Sequence, residues 1–309
     1  MAGRDVMIIA DIERYISLRQ TLGFKLRDAA RNLRAFGRFA DARGDNHVRA
    51  VTAIKWAATA PTPNARHIHL RRVVKLARFL AAENPLHEIP PSAALRHIFV
   101  RPLPYIYTPE EITSIVVTAG RIRAAYPLRR PVYTTLLGLI AATGLRVSEA
   151  LNLRLDDVLP DGVLRISHTK FGKSRLVPLH PTTGVALDRY LAVRRAVPVP
   201  DDHIFLSAGN RRIASSMVNY TFRRILKLAR IAPDRARKPR IHDLRHTFAT
   251  RALEQCSGER GAVSRHFVAL ATYLGHVDIR STYWYLQATP ELMTDIAAAG
   301  EAMAAGGVR

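Results

Sequence analysis

Residues 242–250 have the sequence His-Asp-Leu-Arg-His-Thr-Phe-Ala-Thr, with two histidines and an arginine within five residues. Hydrophobic periodicity predicts a helix over 243–255. His242, just before its start, and His246 then lie about one turn apart. Two histidines with this spacing can ligate a metal ion. Arg245 stands between them, however, and a guanidinium is an unfavourable neighbour for a dication. We therefore interpret Arg245 beside the titratable His242 as a pair suited to a phosphate oxygen.

A second group of residues precedes this stretch. Residues 143–150 have the sequence Thr-Gly-Leu-Arg-Val-Ser-Glu-Ala, in which an apolar helix ends, Gly144 turns the chain and another helix begins. Arg146 is therefore predicted in the first turn of that helix or just before it. A cation there opposes the helix dipole, which suggests that Arg146 holds an anion. Glu149 lies three residues on, on the same face, and is placed to brace Arg146. The alternative is a plain surface Arg–Glu pair.

A third group of residues follows the first. Leu-Gly-His276 is followed nine residues later by Tyr285, within the stretch Ser-Thr-Tyr-Trp-Tyr-Leu at 281–286. A helix is predicted over 278–288, and each helical residue turns the chain by about 100°. Tyr283 and Tyr285 then point away from each other, so only one of them faces a given site. Taken alone, a tyrosine in such a place is most simply a packing residue.

Helical periodicity dominates residues 10–84. Two helices, predicted over 26–40 and 64–84, each combine an apolar face with a stripe of basic residues at spacings of three and four. A single stripe of this kind is typical of a solvated face. Two stripes on a strongly basic chain favour phosphate contact instead. The stripes are Arg27, Arg31, Arg34 and Arg38 in the first helix and Arg71, Lys75 and Arg78 in the second.

Five prolines between residues 85 and 108 predict a linker, because proline interrupts both helices and sheets. The sequence Thr-Pro-Glu-Glu at 108–111 is then typical of a helix start. We place the domain boundary near residue 105. The sequence thus predicts a helical domain over 1–104 and a second domain over 105–309.

The second domain is predicted to be mostly helical with one β-hairpin. The hairpin pairs residues 163–167 with 175–179 across a polar loop that contains glycine. The fold class is therefore mainly α with a small β-hairpin or sheet. Helices are predicted over 182–195, 215–231, 243–255, 262–274 and 278–288. The helix over 215–231 carries a third basic stripe, formed by Arg223, Lys227 and Arg230.

The composition indicates an acidic partner. The 309 residues contain 47 Lys and Arg against 25 Asp and Glu, for a net charge of +22. Nucleic acid is the first candidate and a membrane surface the second. The longest apolar run, 132–145, is too short to cross a bilayer, and the first ten residues lack a secretory pattern. A single cysteine argues against a disulfide framework. We expect a cytoplasmic, nucleoid-associated protein with no membrane partner.

Taken in order, these motifs resemble the tyrosine recombinase (phage integrase) family, whose catalytic domain carries an Arg…Lys…His-x-x-Arg…His…Tyr series. The resemblance covers about residues 108–290 and, more weakly, the first 100 residues as a helical core-binding (SAM-like) domain. The stretch that includes residues 257–264 is longer than expected for the family. The matching segments are Gly-Leu-Arg146-Val-Ser-Glu, Thr-Lys170-Phe-Gly-Lys-Ser-Arg, His242-Asp-Leu-Arg245-His-Thr-Phe-Ala-Thr, Leu-Gly-His276 and Tyr285.

The resemblance implies transesterification at a DNA phosphodiester, with Tyr285 forming a 3′-phosphotyrosyl intermediate. Arg146 and Arg245 would clamp the non-bridging oxygens, because a planar guanidinium binds two oxygens at once. The bond energy is kept in the tyrosyl linkage, so the resemblance implies no ATP, no metal and no other cofactor.

Three further roles are implied by the resemblance. Lys170 would be the general acid that protonates the departing 5′-oxygen, and Lys173 is the alternative. His242 would accept the proton of the attacking tyrosine, and His276 would hydrogen-bond a phosphate oxygen.

The implied partners are double-stranded DNA and other copies of the chain, as a homotetramer on paired DNA sites, with accessory recombination proteins as further candidates. A tail helix over 291–304 would dock on a neighbouring protomer or pack on its own domain. Two other functions remain open. A type IB topoisomerase shares this chemistry but relaxes DNA, and a DNA-binding protein with a decayed site would not cut it. The helical N-terminal segment and the sequence of the hairpin favour the recombinase.

Overall fold

The computed structural model describes residues 7–98, 103–167, 174–255 and 260–275. The chain divides into two compact units, Met1–Pro102 and Leu103–Arg309, each built around its own hydrophobic core. Helices predominate, and one small antiparallel sheet lies in the second unit, which confirms the fold class predicted from the sequence.

The first unit is helical. Its core includes Phe36, Trp56 and Leu70. The two helices predicted over 26–40 and 64–84 are confirmed, although the second ends three residues early. It begins where the Thr62 side chain accepts a hydrogen bond from a first-turn backbone N–H. The helices are α1 (Met7–Thr21), α2 (Arg27–Asp41), α3 (Ala50–Ala58) and α4 (Pro63–Ala81).

Seven helices are described in the second unit. The predicted start at Thr108 is confirmed, because its side chain and that of Glu111 cap each other's backbone N–H groups. The predictions over 182–195, 215–231, 243–255 and 262–274 are confirmed to within a few residues, and 278–288 lies outside the described residues. The helices are α5 (Pro109–Arg121), α6 (Arg129–Thr143), α7 (Val147–Asn152), α8 (Pro181–Arg195), α9 (Ser215–Leu228), α10 (Ile241–Glu254) and α11 (Arg260–Leu274).

Helix α9 ends earlier than its apolar periodicity predicts. It stops at Leu228, and Arg230 has a φ of 53°. A left-handed residue cannot continue a right-handed helix. The predicted stripe is therefore only partly helical, because Arg230 lies beyond the helix end.

The sheet has three antiparallel strands in the order β1 (Val158–Leu159), β2 (Val163–Ile166) and β3 (Arg175–Pro178). The predicted hairpin is β2 and β3. Strand β1 was not predicted, because two residues are too few to show an alternating pattern. Ile166 lies opposite Arg175 and Leu164 opposite Val177, so these four side chains share the inner face of the hairpin.

In the described parts of the chain, none of the helices is both long and apolar enough to cross a membrane.

The turn at Gly144 places the candidate site. Gly144 ends α6 with a φ of 62°, and a Cβ built there would lie 2.5 Å from Phe248 Cδ1 and 3.0 Å from Leu274 Cδ2. Glycine is thus required both for the backbone conformation and for the close packing of α10 and α11 against the turn.

We expect Gly144→Ala to lower the free energy of unfolding by about 2 kcal/mol, because it adds both backbone strain and overpacking. Gly138→Ala is a matched control, since it lies within α6 and a Cβ there meets no neighbouring side chain within 4 Å. That control should leave stability unchanged or raise it by up to about 1 kcal/mol. Urea unfolding followed by circular dichroism measures both, and equal effects would contradict the role given to Gly144.

Candidate active site

Arg146 and Arg245 both contact the backbone at residues 274–275. Arg245 is 1% exposed, and its guanidinium donates to the carbonyls of Gly144 (2.7 Å) and Leu274 (2.8 Å). Arg146 immediately precedes α7 and donates to the carbonyl of Gly275 (3.0 Å). The fold therefore brings together two arginines that lie about one hundred residues apart in the sequence.

Glu149 is buried between two arginines. It is 8% exposed, and its Oε1 lies 2.6 Å from Arg146 Nη1, while its Oε2 accepts the backbone N–H of Arg146 (3.0 Å). Arg175 Nη1 and Nη2 donate to the two carboxylate oxygens, at 3.1 and 2.8 Å. The alternative of a plain surface Arg–Glu pair is wrong, because the carboxylate is desolvated and needs both cations.

The Glu149 carboxylate is held ionised by its two arginines. Burial alone raises its pKa, but hydrogen bonding to Arg175 and the charges of Arg175 and Arg146 outweigh this and lower the pKa to about 2 from 4.5. The ionised form therefore stabilises the fold at neutral pH, and this stabilisation is lost as the pH falls from about 4.5 to about 2.

We expect Glu149→Gln to lower the free energy of unfolding by about 3 kcal/mol at pH 7. The difference from the wild type should shrink as the pH falls through the range in which Glu149 titrates, because the wild type loses the same contribution. Urea unfolding at pH 7 and at pH 3 measures this. A difference that is the same at both pH values would show that the charge of Glu149 is not what stabilises the fold.

His242 is neutral in this environment. Burial, together with the positive charges of Arg245 and Arg240, lowers its pKa to about 4, because these effects outweigh the opposing charge of Asp243. A neutral imidazole at pH 7 has a lone pair that can accept a proton. The ring of His242 contacts that of His246 edge to face at 4.6 Å between centroids.

The residues that could hold a metal ion lie elsewhere. Within the described ranges, the one group of at least three His, Cys, Asp or Glu residues with ligand atoms close together is Asp201, Asp202 and His203. Asp201 accepts hydrogen bonds from His203 and from the Arg212 backbone, and Asp202 pairs with Arg154. Protein donors therefore already engage both carboxylates.

Arg175 was not predicted from the sequence as a residue of the site. Strand alternation could have indicated it, since Arg175 and the buried Val177 are two residues apart and share one face of β3. The contact with Glu149 itself joins positions 26 residues apart and is not visible in the sequence.

Four candidate active-site residues lie outside the described residues: Lys170, its alternative Lys173, His276 and Tyr285. The predicted tail helix over 291–304 lies there too. His276 directly follows Gly275, so it is adjacent in the chain to the backbone that Arg146 contacts.

The basic stripes are exposed. In α2, Arg31 pairs with Asp28 (2.9 Å) and Arg34 with Glu13 (2.7 Å), and both pairs are exposed. The third stripe lines a groove of about 1190 Å³, whose lining combines apolar and basic residues and includes His242. The residues of the three stripes, all of them exposed, are Arg27, Arg31, Arg34, Arg38, Arg71, Lys75, Arg78, Arg223, Lys227 and Arg230.

Comparison with known proteins defines the class. Residues 108–291 match the model of the phage integrase family. A putative integrase/recombinase, y4rB of Sinorhizobium fredii, is 38% identical over 295 residues, which cover 92% of this chain and 94% of the relative. The tyrosine recombinase XerD of Halalkalibacterium halodurans is 32% identical over 198 residues, 63% of this chain and 60% of the relative.

The fold is that of solved recombinases. The Tn1549 transposon integrase, in complex with transposon right end DNA, matches with a TM-score of 0.67 at 18% identity and covers 97% of this chain and 99% of that one. A lambda integrase dimer on a core site matches with a TM-score of 0.65 at 18% identity, covering 91% and 77%. The match to the family model and the 38% identity to y4rB show that the chain belongs to the phage integrase family. It is an enzyme of the tyrosine recombinase class, which acts on DNA.

Proposed function

We propose that the chain cuts and rejoins DNA at specific sites through a covalent 3′-phosphotyrosyl intermediate. The observation that supports this best is the convergence of Arg146 and Arg245 on the backbone that leads into His276, with a neutral His242 near enough to both guanidiniums for their charges to lower its pKa. Such a cluster supplies two fixed positive charges and one proton acceptor, which are what attack on a phosphodiester requires.

In this proposal Tyr285 is the nucleophile. Its phenolic oxygen bonds to phosphorus as its proton passes to His242, and the bond between phosphorus and the 5′-oxygen breaks. Lys170 donates a proton to that oxygen, which leaves a free 5′-hydroxyl. A 5′-hydroxyl from another strand then attacks the phosphotyrosine and loses its proton to Lys170. The bond between phosphorus and the phenolic oxygen breaks, and His242 returns its proton to Tyr285.

The two arginines would have different tasks. Arg146 is one-third exposed at its side chain, so it can reach a phosphate oxygen directly. Arg245 is buried and fixed by two carbonyls, so its charge acts from a rigid position. Fixed charges stabilise the transition state without reorganisation, and His276 would add a hydrogen bond to the same phosphate.

The proposed partners are double-stranded DNA and three further copies of the chain. One solved neighbour is a lambda integrase tetramer bound to a Holliday junction, and another is XerH bound to its difH substrate. By analogy we propose a homotetramer on paired DNA sites. We further propose that accessory recombination proteins take part and that the protein is cytoplasmic and associated with the nucleoid. A nucleic-acid partner is supported independently by the net charge of +22.

Covalent capture tests the proposal. Purified protein is incubated with nicked, fragmented DNA from its source, denatured in SDS, and the linked fragments are sequenced. We expect one recurrent sequence, joined to protein through a 3′ end. Adducts spread over all sequences, with relaxation of any supercoiled plasmid, would favour a topoisomerase instead. Tight binding with no adduct at all would contradict strand cleavage.

The basic stripe of α4 is expected to contact DNA phosphates. The double variant Arg71→Gln/Arg78→Gln should weaken binding to all DNA sequences alike and reduce the slope of log affinity against log salt by about 2. Fluorescence anisotropy over a salt series measures this. Substituting the exposed Arg96, which belongs to none of the stripes, is the control. An unchanged slope in the double variant would remove this stripe from the interface.

A further inference from the structure

Arg175 is a buried charge in a strand. Its side chain is 10% exposed, and its neighbours on the inner face of the hairpin, Ile166 and Val177, are buried. A guanidinium in such surroundings is costly unless its donors are satisfied. Its partners should therefore explain why it is there.

Those partners belong to two different elements. Nη1 and Nη2 of Arg175 donate to both oxygens of Glu149 in α7, and Nε donates to the carbonyl of Tyr273 in α11 (2.7 Å). The guanidinium also lies against the backbone of Gly275, where a Cβ would fall 2.6 Å from Nη1. Gly275 has a φ of 65°, so glycine is required there twice over.

Arg146 contacts the same two places. It donates to Glu149 Oε1 and to the Gly275 carbonyl. Arg146, Glu149, Arg175 and Gly275 therefore form a closed ring of contacts that joins the start of α7, strand β3 and the end of α11. In this ring Arg175 shares the Glu149 carboxylate with Arg146. It therefore limits the positions that the Arg146 guanidinium can take against that carboxylate.

We propose that Arg175 is a positioning residue for strand cleavage, which sets the place of the Arg146 guanidinium through Glu149. The inference rests on the proposed function, in which Arg146 contacts the scissile phosphate. Without Arg175, the buried carboxylate has Arg146 as its remaining guanidinium partner and draws it away from the phosphate. Displacement of a catalytic group by about 1 Å costs up to about 100-fold in rate.

The test compares two substrates of one sequence, the crossover sequence found by covalent capture. One has a normal scissile phosphate and the other a methylphosphonate, which lacks the negative charge on one non-bridging oxygen. Covalent-complex formation is timed at saturating protein. Arg175→Met should slow cleavage by roughly 10- to 100-fold on the phosphodiester and much less on the methylphosphonate. Arg146→Ala should show the same pattern, because both variants lose charge stabilisation.

Two further variants keep the test decisive. Arg165→Met, on β2, removes an exposed arginine that donates to Asp157 and to the Asp156 carbonyl, and should cleave both substrates at the wild-type rate. Arg175→Lys keeps the charge without the three-donor fork, and is assayed if Arg175→Met unfolds. It should be partly active, again with a larger loss of cleavage rate on the phosphodiester than on the methylphosphonate.

If Arg175→Met and Arg175→Lys cleave at the wild-type rate, or if they slow cleavage equally on both substrates, the positioning role alone is overturned. If the wild type forms no covalent complex, the proposed function fails and the positioning role fails with it.

Discussion

Tyr285→Phe should abolish the covalent protein–DNA adduct while DNA affinity stays almost unchanged. Phenylalanine keeps the ring that packs and removes the oxygen that bonds to phosphorus. Loss of a nucleophile typically costs more than about 10⁴-fold in rate, which is complete loss in a gel assay. The measurement is SDS gel electrophoresis of protein incubated with a 5′-labelled, nicked oligonucleotide, beside anisotropy for binding.

Tyr283→Phe and Tyr273→Phe are the matched controls for this prediction. Tyr273 stacks on Phe248 at 5.7 Å between centroids, and its hydroxyl lies 3.4 Å from the Pro178 carbonyl, so its contacts are those of a packing residue. Both variants should still form adducts. Loss of DNA affinity together with the adduct in Tyr285→Phe would make Tyr285 a structural residue.

Arg245→Ala should lower the rate of strand cleavage by at least about 10³-fold, because it removes a fixed positive charge from the transition state. It should also lower the free energy of unfolding by about 3 kcal/mol, since the buried carbonyls of Gly144 and Leu274 lose their donors. Single-turnover cleavage and urea unfolding measure the two effects separately.

Arg245→Lys distinguishes charge from geometry. A lysine keeps the positive charge but cannot bridge two carbonyls 130 residues apart with a planar fork. We expect an intermediate cleavage rate and a smaller loss of stability than in Arg245→Ala. Full activity in Arg245→Ala, in protein shown to be folded, would exclude this residue from the active site.

The helices and the core were largely predictable from the sequence, because each helix carries an apolar face at regular spacing. In α4, the apolar residues at helical spacing, Leu70, Val73, Ala77 and Leu80, are all buried. The early end of α9 was not predictable in the same way, because the apolar pattern continues past Leu228 while the backbone turns left-handed at Arg230. Periodicity records which residues face the core, not where a backbone changes conformation.

The candidate site was only partly predictable. The sequence identifies Arg146 and Arg245 because each lies in a recognisable local pattern. It does not show that Glu149 is buried, since that depends on β3 and α11 packing against α7. The surface-pair alternative for Glu149 remained open for this reason, and Arg175 was missed. Contacts between residues distant in the chain decide both points.

The central claim is that a tyrosine at position 285 becomes covalently joined to the 3′ end of cleaved DNA. The adduct formed on a nicked site is digested with nuclease and trypsin. The peptide that ends at Arg280, which contains Tyr273, and the peptide that follows it, which contains Tyr283 and Tyr285, are sequenced by mass spectrometry. The proposed mechanism predicts one nucleotide, linked through its 3′-phosphate, on Tyr285. A nucleotide on Tyr283 or Tyr273, or a linkage through a 5′-phosphate, would contradict it.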